Sequence, residues 1–309
     1  MKPQFFSVFA SSILLLTLAQ AADTRIPGAL APDRGRDYDG VVGYLTELSK
    51  TYSQNAQLIG VGDSDSGKKI VGVKIGSGAK HTMVVATHHG NEYGAAEVAL
   101  RFAYTLALRP ISDQTVFVIP VLNISGYNAR QRNEASSRRG GSYDPNRNYP
   151  SPCGTEGPFT LKSTAALAKF VADNNIVASA TLHTFYPAVT YPWGISTHDL
   201  RTGYESIFKS MGAAATEDSH YQVGNTTQTI YPADGTFEDY AFLQHGIWSL
   251  LFELGTTHTP NNAQLEEMMK VNVPGLRRML EIAPSERAAQ HAFTGKCDKR
   301  LEALDRHDE

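Results

Sequence analysis

His89 and Glu92 stand three residues apart in the stretch Met83-Val84-Val85-Ala86-Thr87-His88-His89-Gly90-Asn91-Glu92. An imidazole and a carboxylate both offer lone pairs to a divalent cation. With a second histidine they make the two-His, one-carboxylate set of a hydrolytic zinc site, whose fourth position takes water. His183, in Thr181-Leu182-His183-Thr184, supplies that histidine, and of the pair His88-His89 only His89 stands three before the glutamate. A further carboxylate, Glu253, lies inside Leu251-Phe252-Glu253-Leu254. A buried, unpaired acid in such a run costs several kcal/mol, so its presence asks for a reason. A carboxylate that binds no metal can serve as general base toward a zinc-activated water. Each residue has a plainer alternative: a polar turn for the tetrad, a hydrogen-bonded core histidine for His183.

Their shared position favours the metal. Residues 83–87, 177–183 and 247–254 read as β-strands, and the candidate residues follow the ends of all three. Further strands are expected at 58–62, 70–75 and 116–122, and helices at 38–52, 94–108, 161–174, 201–214, 237–244 and 263–273. Pro274-Gly275 should break or kink the last of these before a final helical stretch. The fold class is therefore α/β: a mixed, largely parallel, twisted β-sheet with helices on both faces, in a single domain. In open sheets of this kind, sites lie just beyond the C-terminal strand ends. Residues 123–157 form a long polar stretch rich in Arg, Gly and Asn, and a loop of that length is usually functional or disordered.

Lys2 precedes an apolar run from Phe5 to Leu18 and the triplet Ala19-Gln20-Ala21, which is the pattern of a secretory signal peptide over residues 1–21. The run is shorter than the ~20 residues of a membrane span, and no later run is long enough, so no membrane span is expected. Residues 22–36 read as a loose leader rich in Pro, Gly, Asp and Arg, and 37–309 as the single domain. The expected location is secreted, or periplasmic in a Gram-negative bacterium. A formal net charge of −3 gives no hint of nucleic acid as a partner. In an oxidising compartment Cys153 and Cys297 could form one disulfide or stay as two free thiols.

Taken in order, His89-Gly90-Asn91-Glu92, Asp144-Pro145-Asn146-Arg147-Asn148-Tyr149, Thr181-Leu182-His183-Thr184, Thr229-Ile230-Tyr231-Pro232-Ala233-Asp234-Gly235 and Phe252-Glu253-Leu254 resemble the zinc metallocarboxypeptidases of the carboxypeptidase A and B type. The resemblance covers most of the chain, from about 38 to 280. It implies a secreted, monomeric peptide hydrolase with one Zn2+ per chain, held by His89, Glu92 and His183, acting on peptide or protein C-termini. Glu253 would take a proton from water and pass it to the leaving amine. Asn146 and Arg147 would grip the free terminal carboxylate, which a guanidinium fork suits better than an ammonium. Tyr231 would close over the substrate, and Asp144 would orient a metal-bound histidine. One arginine would hold the developing oxyanion; Arg130 and Arg132 both qualify, and Arg132, followed directly by Asn133, fits the pattern better. The chain departs from the family at Asn123-Ile124-Ser125-Gly126, where Asn-Pro-Asp-Gly is usual, and a local change of turn is expected.

Counted without gaps from Tyr231, Glu238 falls at the base of the family's side-chain pocket, which would favour basic C-terminal residues. The same Phe237-Glu238-Asp239 also reads as a helix start, where the dipole favours acids. Alternatives are a carboxypeptidase or amidase of cell-wall peptides, a small-molecule deacylase, and a catalytically inactive binding module. The complete set of ligands and base speaks against the last.

Overall fold

The structure, a computed structural model, describes residues 27–29, 34–197 and 200–298. The expected signal peptide lies outside the described residues. The elements in chain order are α1 (Tyr38–Thr51), β1 (Ala56–Asp63), β2 (Lys69–Ile75), β3 (Lys80–Ala86), α2 (Tyr93–Leu108), β4 (Gln114–Ile119), α3 (Ile124–Ala129), β5 (Glu134–Ala135), β6 (Ser142–Tyr143), a 3-10 turn (Pro145–Arg147), α4 (Lys162–Asp173), β7 (Ala178–His183), β8 (Ala188–Tyr191), α5 (Glu205–Ala215), β9 (Gln222–Asn225), α6 (Thr226–Thr229), α7 (Phe237–His245), β10 (Trp248–Glu253) and α8 (Asn262–Ile282).

One eight-stranded sheet runs β1-β2-β4-β3-β7-β10-β8-β9, and β5 pairs with β6 in a separate hairpin. The central strands β4, β3, β7 and β10 are mutually parallel, whereas β1, β2 and β8 join antiparallel. The sheet is thus mixed with a parallel centre. Every residue of β4 and β7 is buried, on both alternating faces, as a sheet covered on both sides requires. Helix α1 shows how the sequence builds one cover: Tyr38, Val41, Tyr44, Leu45 and Leu48 fall on one face and are all buried. The Asp37 carboxylate caps its start by accepting from the Gly40 N–H at 2.8 Å.

The structure departs from expectation in one place and adds to it in two. Helix α8 runs unbroken through Pro274. Its apolar side, with Leu265, Met268, Met269, Val273, Leu276 and Met279, is buried, and Gly275 lies against the Ala215 backbone. That packing holds the helix together, and the carbonyl robbed of a donor belongs to exposed Lys270, where water can serve it. The polar stretch 123–157 is ordered by α3, the β5–β6 hairpin and the 3-10 turn. Strands β8 and β9 extend the sheet beyond β10, although their short sequences gave no strand signal.

The described part of the leader meets the body closely. Arg36 is buried and paired with buried Glu97, its amide donates to Glu97 Oε1 at 2.9 Å, and its guanidinium stacks over Tyr44.

Candidate metal and active site

Strands β3, β7 and β10 are neighbours and parallel, so their C-terminal ends share one edge of the sheet. In the β7–β10 register Glu253 sits opposite His183. Beyond β3 the chain turns at Thr87 in a left-handed conformation (φ 54°), then passes His88 and His89 into α2. Gly90 is where this turn meets α3: a Cβ there would lie 2.0 Å from the Gly126 carbonyl carbon, so only glycine fits.

His89, Glu92 and His183 are all buried, with one ligand atom from each within 4.8 Å of the others. His89 Nδ1 lies 2.8 Å from Glu92 Oε1 and 3.2 Å from His183 Nδ1. Glu92 Oε2 is 3.0 Å from His183 Nδ1 but outside hydrogen-bonding geometry, and it and His183 Nε2 are buried without hydrogen-bond partners. Two imidazoles and a carboxylate with lone pairs left over at one point suit a zinc ion in kind and spacing. Burial works to lower the His89 pKa, yet the carboxylates of Glu92 and Asp144 push it up to about 9. Burial likewise opposes the Glu92 charge, and the two histidines overcome it and hold the carboxyl far below its usual range. Metal binding here would displace a proton and strengthen as pH rises.

His88 does not join the triad. Its Nε2 is 3.0 Å from the Tyr149 hydroxyl, and its ring stacks on His183 with centroids 5.6 Å apart. Burial, with His183 and His89 close by, drives its pKa well below that of free histidine, so it is a neutral packing group behind a ligand.

Asp144 Oδ1 lies 3.1 Å from His89 Nε2, and Oδ2 accepts from Arg132 Nε at 3.0 Å and Nη2 at 2.7 Å. Burial alone would raise the Asp144 pKa, but His89, Arg147 and Arg132 hold it well below the carboxylate range. Arg132 also brings Nη1 to 3.2 Å from His89 Nδ1. Arg130 is turned away, donating to the carbonyls of Arg34 and Arg36 and stacking on Tyr127 and Tyr93.

Asn146 is buried, and its Oδ1 accepts from the Phe237 N–H at the start of α7 at 2.9 Å. Arg147 follows, with its guanidinium 5.8 Å from the Tyr231 ring centre. Tyr231 itself is 46% exposed, which leaves that ring free of the packing that would fix it. Glu238 occupies the first turn of α7, yet it is buried and accepts from Thr181 Oγ1, two residues before His183 on the same face of β7. Thr181 and Tyr149 are site neighbours that no spacing argument singled out; only the sheet register and the packing of α7 bring them in.

Glu253 has Oε2 buried without a partner. Burial first, and then the charge of Glu92, push its pKa well above the usual carboxylate value. A carboxyl that holds a proton readily beside a triad that could hold a metal is equipped to carry a proton.

A polarised triad on the edge of a parallel sheet, backed by Asp144 and faced by a proton-holding Glu253, defines a metallohydrolase-type centre. The family model described as zinc carboxypeptidase matches residues 41–275, and the chain belongs to that family. Carboxypeptidase B of the rat is 30% identical over 177 residues, which is 48% of this chain and 42% of the rat protein. Carboxypeptidase B of the crayfish Astacus astacus is 26% identical over 252 residues, 68% of this chain and 82% of that protein. The chain therefore spans less than half the length of the rat relative and most of the crayfish one. The structure of bovine thrombin-activatable fibrinolysis inhibitor in complex with tick carboxypeptidase inhibitor shares the fold, with TM-score 0.72 and 17% identity over 79% of this chain and 96% of that one.

Proposed function

We propose that this chain is an exported carboxypeptidase that removes the last residue of peptides, with one zinc ion held by His89, Glu92 and His183. The observation that carries this reading is the meeting of that triad with Glu253 at three adjacent strand ends. When bound, zinc supplies Lewis acidity that favours ionisation of water and polarises a carbonyl. Glu253 accepts the proton of the attacking water and returns it to the departing amine, the task its raised pKa suits. Arg132, fixed by two bonds to Asp144, offers Nη1 to the charge that builds on the carbonyl oxygen. Asp144 keeps the His89 ring in place from behind. Arg147 and the amide of Asn146 would take the terminal carboxylate, and Tyr231 would swing over it. Glu238, buried beneath the triad, would favour Lys or Arg as the residue released.

Recombinant protein should cleave peptides ending in Arg or Lys, lose that activity with 1,10-phenanthroline and regain it with zinc. Insensitivity to the chelator would remove the metal mechanism. Equal rates on peptides ending in Arg, Lys, Leu and Glu, unchanged in Glu238→Ala, would remove the pocket assignment alone.

A further inference from the structure

Arg132 and Asp144 reach the triad from one small device, the β5–β6 hairpin. Glu134 in β5 pairs with Tyr143 in β6, so two residues before the first strand stands Arg132 and directly after the second stands Asp144. Two residue pairs make the whole ladder, far less than an independent hairpin needs. The carbonyl of Arg132 is held by the Gly90 amide at 3.2 Å and by Asn123 Nδ2 at 3.0 Å. On the other side the hairpin is held through the Glu134 side chain. That side chain is fully buried, with Oε2 accepting from Ser163 Oγ in the first turn of α4 and Oε1 left without a partner.

No role in hydrolysis requires a buried acid at this place. An ionised carboxylate with one bare oxygen in such a site is costly, and a neutral carboxyl of the same shape costs far less. The titratable groups facing it are the Asp65 carboxylate, from the turn between β1 and β2, and the Tyr149 phenol. Asp65 itself accepts from the amide and hydroxyl of Ser137 in the hairpin loop, each at 2.7 Å, and from the Lys162 amide at 2.6 Å. Arg132, on the same segment, is turned to Asp144, and Arg138 and Arg139 are exposed. No cation therefore offsets a negative charge on Glu134 among the groups that face it.

We propose that Glu134 is a positioning residue that works in its neutral form, clamping the β5–β6 hairpin to α4 so that Arg132 and Asp144 stay aligned on the triad. Ionisation repels the carboxyl from Asp65, and both groups shift together. Burial pushes the Glu134 pKa up to about 8; the charge of Asp65 adds to this, while the Ser163 hydroxyl and the Asp65 backbone amide oppose it. The folded chain thus holds a proton the unfolded chain releases near the ordinary value of 4.5. The stability from this proton is complete below that value and is lost as pH rises through about 8.

The inference rests on the roles given above to Arg132 and Asp144, and its test has one readout that does not. The full chain and its variants Glu134→Gln and Glu134→Ala would be compared from pH 6 to 10. The measurements are kcat/KM on a peptide ending in Arg and the unfolding midpoint in the presence of chelator. Glu134→Gln, which keeps the neutral shape, should match the wild-type kcat/KM at pH 6 and hold it where the wild type declines around pH 8, and its midpoint should lack the fall that this proton gives the wild type up to about pH 8. Glu134→Ala should lose about tenfold or more in kcat/KM at pH 7, within the ~10²-fold that a 1 Å misplacement can cost. Glu134→Gln tracking the wild-type decline in both readouts would overturn the proposal. So would full activity of Glu134→Ala at pH 7. A decline in the midpoint that Glu134→Gln abolishes, with no peptidase activity in any form, would uphold the buried acid and defeat the proposed function.

Discussion

A single-residue distinction separates His89 from His88. Both are buried and both lie beside His183, but only His89 meets Glu92 and Asp144, while His88 is committed to Tyr149. The three-residue spacing to Glu92 anticipated this choice, because the turn into α2 brings the two side chains together. The proposed general base is tested at the same scale. Glu253→Gln keeps size and hydrogen-bonding shape but cannot accept a proton, so kcat should fall by about 10²–10⁴-fold, the range of general acid–base catalysis. The triad does not include Glu253, so zinc content measured by atomic absorption should stay at the wild-type level. Near-wild-type turnover would place the base elsewhere.

At the scale of elements, the site depends on strands laid side by side and on helices that press on them. The expected break at Pro274 is absent because α8 is held along its length against α5 and α2, and Gly275 permits the close approach to α5. A Cβ at Gly275 would meet the Ala215 carbonyl oxygen at 1.9 Å, and backbone cannot yield as a flexible side chain can. Gly275→Ala should therefore destabilise the chain by about 1–3 kcal/mol, the usual cost of overpacking. Gly60→Ala, with nothing within 4 Å of the new atom, is the control. Urea unfolding curves compare the two, and equal midpoints would show that the α5–α8 contact carries little. Helix α7 belongs to this scale too. Thr236 caps it by accepting from the Asp239 amide at 3.4 Å, and its first turn places both the Phe237 amide that Asn146 accepts from and the buried Glu238. The two readings of Glu238, helix-start acid and pocket acid, are thus compatible positions of one residue.

Across the whole molecule, the C-terminal segment is tied back to the body. Cys153 and Cys297 form a disulfide across 144 residues, and beside it Thr197 Oγ1 donates to the Lys296 carbonyl at 2.6 Å. Closing so long a loop removes much freedom from the unfolded chain, about 5 kcal/mol on the chain-entropy account. Cys153→Ser with Cys297→Ser should lower the stability by about 2–5 kcal/mol. Chemical denaturation with and without reductant measures it, and an unchanged midpoint would show that the bridge is absent or idle. An exported protein would meet the oxidising conditions the bridge needs, which links this measurement to the proposed location. No described helix is long and apolar enough to cross a membrane.

By itself the sequence determined the α/β class, the central strands and the residues of the triad. Those features are written locally: in unbroken apolar runs such as 116–122, in the three-residue spacing of His89 and Glu92, and in an acid set among Leu251, Phe252 and Leu254. Only the tertiary structure decided which strands are neighbours, and so brought His183 and Glu253 to the same edge as His89, far along the chain. It also parted the two candidate arginines, sending Arg130 to the backbone of the N-terminal segment and Arg132, the one the sequence favoured, to Asp144. The edge strands β8 and β9, Thr181 beneath the site and the buried carboxyl of Glu134 were not legible in advance. The reason is physical: pairing, burial and loss of solvent depend on what a distant segment supplies, and no local pattern records the partner.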